Sequence, residues 1–92
     1  MTNPRDISLT AALARQVPSR VQARGRSYFV SGAVRSVQGD ELAMEATVRG
    51  SIQYQVGVTR EGDTLAVTCT CPYFDDRAEV CKHIWAALLV AE

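Results

Sequence analysis

The 92-residue sequence lacks the segments that mark membrane and secreted proteins. Its longest apolar run, Ile84–Ala91, is far shorter than the roughly 20 residues that cross a bilayer as a helix. The N-terminal stretch Met1–Leu9 contains no apolar core of the kind found in a secretory signal peptide. We therefore expect a protein of the cytoplasm that does not contact a membrane.

Cysteine and histidine are scarce, with three cysteines and one histidine in the chain. An odd number of cysteines in a chain without a signal peptide indicates reduced thiols. All four residues fall between Cys69 and His83, in two close pairs. A metal site, a reactive thiol, or buried cysteines acting as small apolar residues would each account for them.

The spacing of the two pairs favours a metal site. Cys69 and Cys71 share a parity along a predicted strand, so their thiols point to one side. Cys81 and His83 converge on that side only if Cys81 precedes a helix and His83 lies in its first turn. Three thiolates and one imidazole are a ligand set of closed, tetrahedral zinc sites. We predict that these four residues bind one structural zinc ion.

Other interpretations of the four residues stay open at this point. They could be unrelated core residues, since free cysteines are often buried and inert. They could form a redox centre, although reactive pairs usually read Cys-x-x-Cys. Iron is a further candidate, because cysteine and histidine also hold iron.

The sequence has few of the motifs that are typical of enzymes. A zinc ion with four protein ligands has no open position for a reacting water. The chain has no Gly-x-x-x-x-Gly-Lys motif for nucleotide phosphates, and no serine has a second histidine as its base. We predict a non-catalytic protein without a small-molecule substrate.

Positive and negative charges cancel over the whole chain but not along it. Residues 1–38 hold six arginines against one aspartate, whereas residues 39–92 hold nine acidic and four basic side chains. A basic segment attracts phosphates, and each of its arginines could also simply belong to a solvated face. The predicted DNA contacts are Arg15, Arg20, Arg24, Arg26 and Arg49.

Apolar residues at helical spacing predict three helices. The first covers Asp6–Val17 and ends at the following proline, and the second covers residues 19–31. Glycine in a helix interior costs up to about 1 kcal/mol, so the presence of Gly25 could delay the second helix until Arg26. The last helix follows Cys81 and is apolar nearly all round, so it needs cover on more than one side.

From residue 33 apolar and polar residues alternate, which is the pattern of strands with one buried face. Turn sequences separate four such segments, as in β-hairpins. The segments are Ala33–Val37, Leu42–Val48, Ser51–Val58 and Asp63–Cys69. We predict an α+β fold with an N-terminal helical segment, a small antiparallel β-meander and a zinc-stapled strand–loop–helix at the C-terminus.

The stretch CTCPYFDDRAEVCKHIWAALL, residues 69–89, resembles the SWIM zinc finger, in which Cys-x-Cys is followed by Cys-x-His. Two earlier stretches, RGRSYFVSGAV and VRGSIQYQV, resemble the segment before the finger in bacterial SWIM proteins, so the similarity covers roughly residues 19–91. The resemblance implies a non-catalytic module that binds DNA or protein and is found with Swi2/SNF2 ATPases and MuDR-type transposases. The zinc ligands that it implies are Cys69, Cys71, Cys81 and His83.

Two classes of partner are compatible with the sequence. The arginines favour DNA as the partner, and the module would then act together with a helicase- or chromatin-type ATPase. The finger loop carries Asp75, Asp76 and Glu79 beside an anionic metal site, so we expect this loop not to touch DNA. The alternative is a protein–protein module without nucleic-acid contact, in which Trp85 and Leu89 on one flank of the last helix dock a Swi2/SNF2-type ATPase or another domain.

We predict that residues 1–92 form a single zinc-binding domain. Its parts are a basic helical segment over residues 1–32, the meander over residues 33–68, and the finger and helix over residues 69–91. A domain this small buries only about 60–65% of the surface of its unfolded chain, so its core is marginal. A bound zinc ion is therefore expected to decide whether the C-terminal part folds.

Overall fold

The computed structural model describes residues 13–40, 43–62 and 64–91 of the chain. A 3-10 turn at Ala14–Gln16 precedes a helix, four strands and two further helices. Their bounds are α1 Ser19–Val30, β1 Val34–Gly39, β2 Ala43–Arg49, β3 Gln53–Glu61, β4 Thr64–Cys69, α2 Pro72–Arg77 and α3 Lys82–Ala91. The predicted α+β architecture is confirmed, whereas the predicted helix Asp6–Val17 lies mostly outside the described residues.

The four strands form one antiparallel sheet in the order β1-β2-β3-β4, which is the meander that the alternating pattern predicts. Val48 lies opposite Tyr54 across β2 and β3, and Val56 lies opposite Cys69 across β3 and β4. All four side chains are buried on one face of the sheet. The last residue of β4 is therefore placed on the apolar face, where the metal ligands meet.

Glycines make the tight reversals between strands possible. Gly39 at the end of β1 has a φ of 128°, and Gly62 in the β3–β4 hairpin has a φ of 61°. Residues with a Cβ atom rarely adopt such angles, so the glycines suit these turns for a conformational reason.

Helix α3 lies at the centre of the core. Ile84, Ala86, Ala87 and Leu88 have no exposed surface, and the helix packs against the sheet and against α1. Cover on two sides explains why this helix is apolar nearly all round.

Gly25 is the point of closest approach between α1 and α3. A Cβ atom at this position would lie 2.6 Å from Cδ1 of Trp85 and 2.9 Å from the carbonyl oxygen of Lys82. Helix α1 runs without interruption through Gly25, so the expectation that it begins only near Arg26 is wrong. Packing against α3 compensates the low helix propensity of glycine.

The structure also corrects the limits of individual elements. Strand β3 continues to Glu61, and the finger loop contains the short helix α2, for which no helix was predicted. Among the described residues, no helix is long and apolar enough to cross a membrane.

Candidate metal centre

Four soft ligand atoms converge at the junction of β4, α2 and α3. The sulfur atoms of Cys69, Cys71 and Cys81 and a ring nitrogen of His83 all lie within 4.8 Å of one another. All four side chains are buried, and none of the three cysteines forms a disulfide. The cluster therefore brings together the four residues that the spacing of the sequence singles out.

The end of the sheet positions the first pair of thiols. Cys69 is the last residue of β4, and the sheet is extended beyond it because the Thr70 N–H donates to the carbonyl oxygen of Gln55. The Gln55 N–H in turn donates to the Thr70 hydroxyl at 3.0 Å. Cys71 then caps α2, with its sulfur atom accepting from the Phe74 N–H at 3.5 Å. Cys-Thr-Cys thus ends a strand and begins a helix with both sulfurs on one side.

The start of α3 positions the second pair. Cys81 precedes the helix, and its carbonyl oxygen accepts from the Trp85 N–H at 3.0 Å. His83 lies in the first turn of the helix. This is the arrangement under which the two side chains were predicted to converge, because residues two apart in a helix interior point to different sides.

Two aromatic rings hold the imidazole of His83. The Tyr54 ring stacks on it with centroids 4.2 Å apart, and the Tyr28 ring meets it edge-on at 5.2 Å. Nδ1 lies 3.8 Å from the sulfur of Cys69 and also 3.8 Å from that of Cys81. Nε2 is buried and has no hydrogen-bond partner within the described ranges. The ring orientation therefore makes Nδ1 the nitrogen that could bind a metal.

The cluster fits one zinc ion. In a tetrahedron with Zn–S near 2.3 Å and Zn–N near 2.0–2.1 Å, a sulfur and a nitrogen ligand are about 3.5–3.6 Å apart. The observed Sγ···Nδ1 distances of 3.8 Å exceed that spacing by about 0.2–0.3 Å, so a small inward movement of the ligands would complete the site. Three thiolates around Zn²⁺ leave one negative charge, which the N-terminus of α3 stabilises through its partial positive charge. Cys69, Cys71, Cys81 and His83 form a single site with the donor set of structural zinc.

The thiols influence one another's ionisation in the metal-free protein. A hydrogen bond with Cys81 lowers the pKa of Cys69. The same contact, together with burial, raises the pKa of Cys81 to about 12. The two sulfurs therefore share a proton, since two thiolates at this distance repel each other unless a cation lies between them. A zinc ion supplies that cation and displaces the proton.

A cleft lies beside the metal centre, between α1 and the finger. It has a volume of about 270 Å³. Three cationic side chains line it: Arg20 and Arg24 from α1 and Lys82 from the start of α3. No carboxylate is found among the described residues that line the cleft. The rest of its wall consists of Val21, Tyr54, Cys71, Pro72, Tyr73, Cys81 and His83.

The predicted DNA contacts divide into two groups. Arg20 and Arg24 meet at the cleft, whereas Arg15, Arg26 and Arg49 are exposed elsewhere on the described surface. Sequence reasoning did not assign Lys82 to a binding surface, nor Tyr54 and Tyr28 to the support of the histidine. The spacing of Arg20 and Arg24, four residues apart, predicts that they lie on the same side of a helix. The contribution of Lys82 could not be predicted in this way, because it depends on how α1 packs against α3.

The structure corrects the proposed role of Trp85. In the protein–protein alternative this side chain was predicted to contact a partner, but it is only 5% exposed. It packs against Gly25 inside the domain and offers no surface to a partner. Leu89 is half-buried and packs against the same core. A contact of Leu89 with a partner stays a prediction.

A buried cluster of three cysteines and one histidine, joining a sheet to a helix, defines a small zinc-binding module. The family model of the SWIM zinc finger matches residues 54–92, so the C-terminal part of the chain carries a SWIM zinc finger. The match confirms the resemblance of CTCP and CKH to this family, and SWIM zinc fingers are small, generally non-catalytic binding modules. A search of curated proteins and a search of solved structures found no match.

Proposed function

We propose that the protein is a zinc-stabilised module that binds DNA in the service of a helicase- or chromatin-type ATPase. The observation that carries this proposal is the cleft beside the metal centre, where Arg20, Arg24 and Lys82 come together. Arginine and lysine side chains are the main phosphate contacts of DNA-binding proteins. Within the part of the chain that the structure describes, none of these three side chains pairs with a carboxylate.

The positions of the acidic side chains support the same surface. Asp75, Asp76 and Glu79 are exposed in the finger loop, and none of them lines the cleft. DNA can therefore approach the cleft side of the finger, where Tyr73 lies, while the carboxylates of Asp75, Asp76 and Glu79 stay outside the contact. Arg15, Arg26 and Arg49 would extend the footprint beyond the cleft.

Zinc has a structural part in this function. Two walls of the cleft belong to segments that carry the ligands, because Tyr73 lies in α2 and Lys82 lies between Cys81 and His83. A metal bound by all four ligands holds these segments against the sheet. DNA binding should therefore require the zinc-loaded protein.

A titration of zinc-loaded protein with labelled DNA over a range of salt tests the proposal. The three contacts of the cleft alone predict an affinity that falls roughly 20- to 40-fold between about 50 and about 200 mM salt, and contacts of Arg15, Arg26 or Arg49 would make the fall steeper. We expect the double change Arg20→Ala and Arg24→Ala to weaken binding at least about tenfold at the lower salt, since it removes two of these contacts.

The matched control is the double change Arg35→Ala and Arg60→Ala, which removes the same charge from exposed positions on β1 and β3. It should weaken binding much less than the change in the cleft. DNA binding that is independent of salt, or that both double variants reduce equally, would contradict the proposed surface.

A protein-binding module without nucleic-acid contact is the second candidate. Val30 at the end of α1 and Ile52 before β3 are apolar side chains that are 71% and 65% exposed, and exposed apolar side chains contribute to protein interfaces. Such residues could contact a Swi2/SNF2-type ATPase, the partner that the resemblance implies. Absence of DNA binding even at low salt would favour this second function.

A further inference from the structure

We infer that the cleft between α1 and the zinc finger binds the phosphate of a single-stranded nucleic acid, with Tyr73 as a stacking surface for the neighbouring base. This inference rests on the proposed function and adds the form of the nucleic acid and the place where the strand lies. It depends on charge balance, on shape and on one aromatic side chain.

The cations of the cleft come from two elements. Arg20 and Arg24 are four residues apart on α1 and therefore lie on the same side of that helix. Lys82 reaches the cleft from the first residue of α3, with its Nζ 5.2 Å from the ring centroid of Tyr28. Three cationic side chains from two packed helices therefore line one cleft.

The negative charge of the metal centre balances only part of the positive charge of Arg20, Arg24 and Lys82. Zinc with three thiolates carries one negative charge, and the N-terminus of α3 already contributes a partial positive charge beside it. The three cationic side chains around the cleft therefore leave about two positive charges without a counterpart among the described residues. A nucleic-acid phosphate supplies a negative charge of the required kind.

The shape of the cleft favours a single strand. The cleft is concave, and its volume of about 270 Å³ includes the space at the metal ligands Cys71, Cys81 and His83, which also line it. A duplex presents its phosphates on a convex surface and keeps its bases stacked inside. A single strand can place one phosphate in a concave site and turn the adjacent base towards the protein wall.

Tyr73 provides that wall. It lies in α2, lines the cleft and is half-buried, with the guanidinium of Arg77 5.3 Å from the centre of its ring. Tyr54 also lines the cleft but is buried and stacked on His83, so its ring faces are less available. A basic groove beside an aromatic side chain is the usual arrangement of single-strand binders, and Tyr73 is the half-buried ring at this cleft.

The test compares zinc-loaded protein binding to a labelled oligo(dT) of about 12 nucleotides with its binding to a hairpin duplex of the same charge. We expect the single strand to bind at least about tenfold more tightly. Its log–log salt dependence should have a slope near −2, from three contacts at about −0.7 each. The double change Arg20→Ala and Arg24→Ala should bring that slope to about −0.7.

Variants of Tyr73 separate stacking from charge. Tyr73→Ala should weaken oligo(dT) binding about tenfold or more without changing the salt slope, whereas Tyr73→Phe should keep most of the affinity. Zinc content and circular dichroism of each variant show whether it is folded. If Tyr73→Ala fails to fold, Tyr73→Leu serves instead, because it keeps an apolar side chain against the core but removes the ring, and it should also weaken oligo(dT) binding without changing the salt slope.

The outcomes distinguish this inference from the proposed function. Equal or tighter binding of the duplex would overturn the inference and leave DNA binding intact, as would oligo(dT) binding that the Tyr73 and arginine changes do not affect. Inorganic phosphate or dTMP that binds as tightly as oligo(dT) would also overturn it, because the ligand would then be a free phosphate compound. Failure of both DNA forms to bind at low salt would overturn the proposed function itself.

Discussion

At the scale of single residues, His83 is held by ring packing. Metal-binding histidines usually donate their second N–H to a carboxylate or carbonyl oxygen, which fixes the orientation of the ring. In the described part of this chain, Nε2 has no such partner, and the rings of Tyr54 and Tyr28 confine the imidazole instead. The aromatic residues thus have the orienting function that a hydrogen bond serves in other zinc sites.

Zinc affinity should rise with pH because of the Cys81 thiol. A free thiol has a pKa of about 8.5. The contact with Cys69, together with burial, raises the pKa of Cys81 to about 12 in the fold. The thiol is therefore protonated at neutral pH in the unfolded as well as the folded chain and must lose its proton when zinc binds. Each proton released makes the apparent affinity increase about tenfold per pH unit, so the affinity must fall as the solution becomes more acidic. We expect at least this slope between about pH 6 and about pH 7.5, measured by competition with a coloured chelator.

Cys81→Ser is the control for that measurement. It removes a ligand together with its proton, so zinc should bind more weakly and with a pH slope lower by about one proton. Serine has nearly the same size as cysteine, so loss of packing contributes little to the difference. An affinity of the unchanged protein that stays constant over this pH range would show that Cys81 is not a ligand.

At the scale of elements, the contact between α1 and α3 depends on Gly25. We expect Gly25→Ala to lower the free energy of unfolding by about 1–2 kcal/mol, although alanine favours helix formation by about 1 kcal/mol. The added methyl group would lie 2.6 Å from Cδ1 of Trp85, and the carbonyl oxygen of Lys82 behind it cannot move without moving α3. Urea unfolding of the zinc-loaded proteins measures this difference.

Ser27→Ala is the matched control on the same helix. Ser27 is exposed, and its hydroxyl donates only to the carbonyl oxygen of Ala23 within α1. Alanine there should leave the stability unchanged or raise it by a few tenths of a kcal/mol. If Gly25→Ala stabilises the protein as Ser27→Ala does, the two helices do not pack as closely as described.

The elements also show how much of the fold the sequence could predict. Alternation of apolar and polar residues predicts the four strands and their order, because each hairpin is local and one face is buried. Helix α3 is apolar on nearly all sides, which predicts that two neighbouring elements cover it. These elements are the sheet and α1. The helix over residues 19–31 was predicted, but its continuity through Gly25 stayed open, since the cost of this glycine is compensated by contact with Trp85, which is 60 residues further along the chain.

The same limit applies to the site. The two ligand pairs follow from strand parity and from the start of a helix, both of which are local. The support of His83 by Tyr28 and the contribution of Lys82 to the cleft depend on how α1 packs against α3. Such contacts between distant elements have no periodic signal in the sequence.

At the scale of the whole molecule, the metal centre and the core share one element. Helix α3 contributes His83 to the cluster and Ile84, Trp85 and Leu88 to the core. It packs against α1 and against every strand of the sheet. A loss of order at the start of α3 must therefore weaken its packing against the sheet and against α1. The stability of the sheet thus depends on the metal through this helix.

Removal of zinc should therefore unfold the whole domain. Structural zinc binding is worth about 10–16 kcal/mol, which is comparable to the roughly 5–15 kcal/mol stability of an ordinary domain. Trp85 is the single tryptophan and is buried in the contact between α1 and α3, so its fluorescence reports on the core. We expect a chelator to expose Trp85, to abolish the helical and strand signals in circular dichroism, and to abolish DNA binding. As a control, the same chelator saturated with zinc should change none of these signals. If elemental analysis shows that the metal has been removed and the spectrum is still native, the core is stable without zinc.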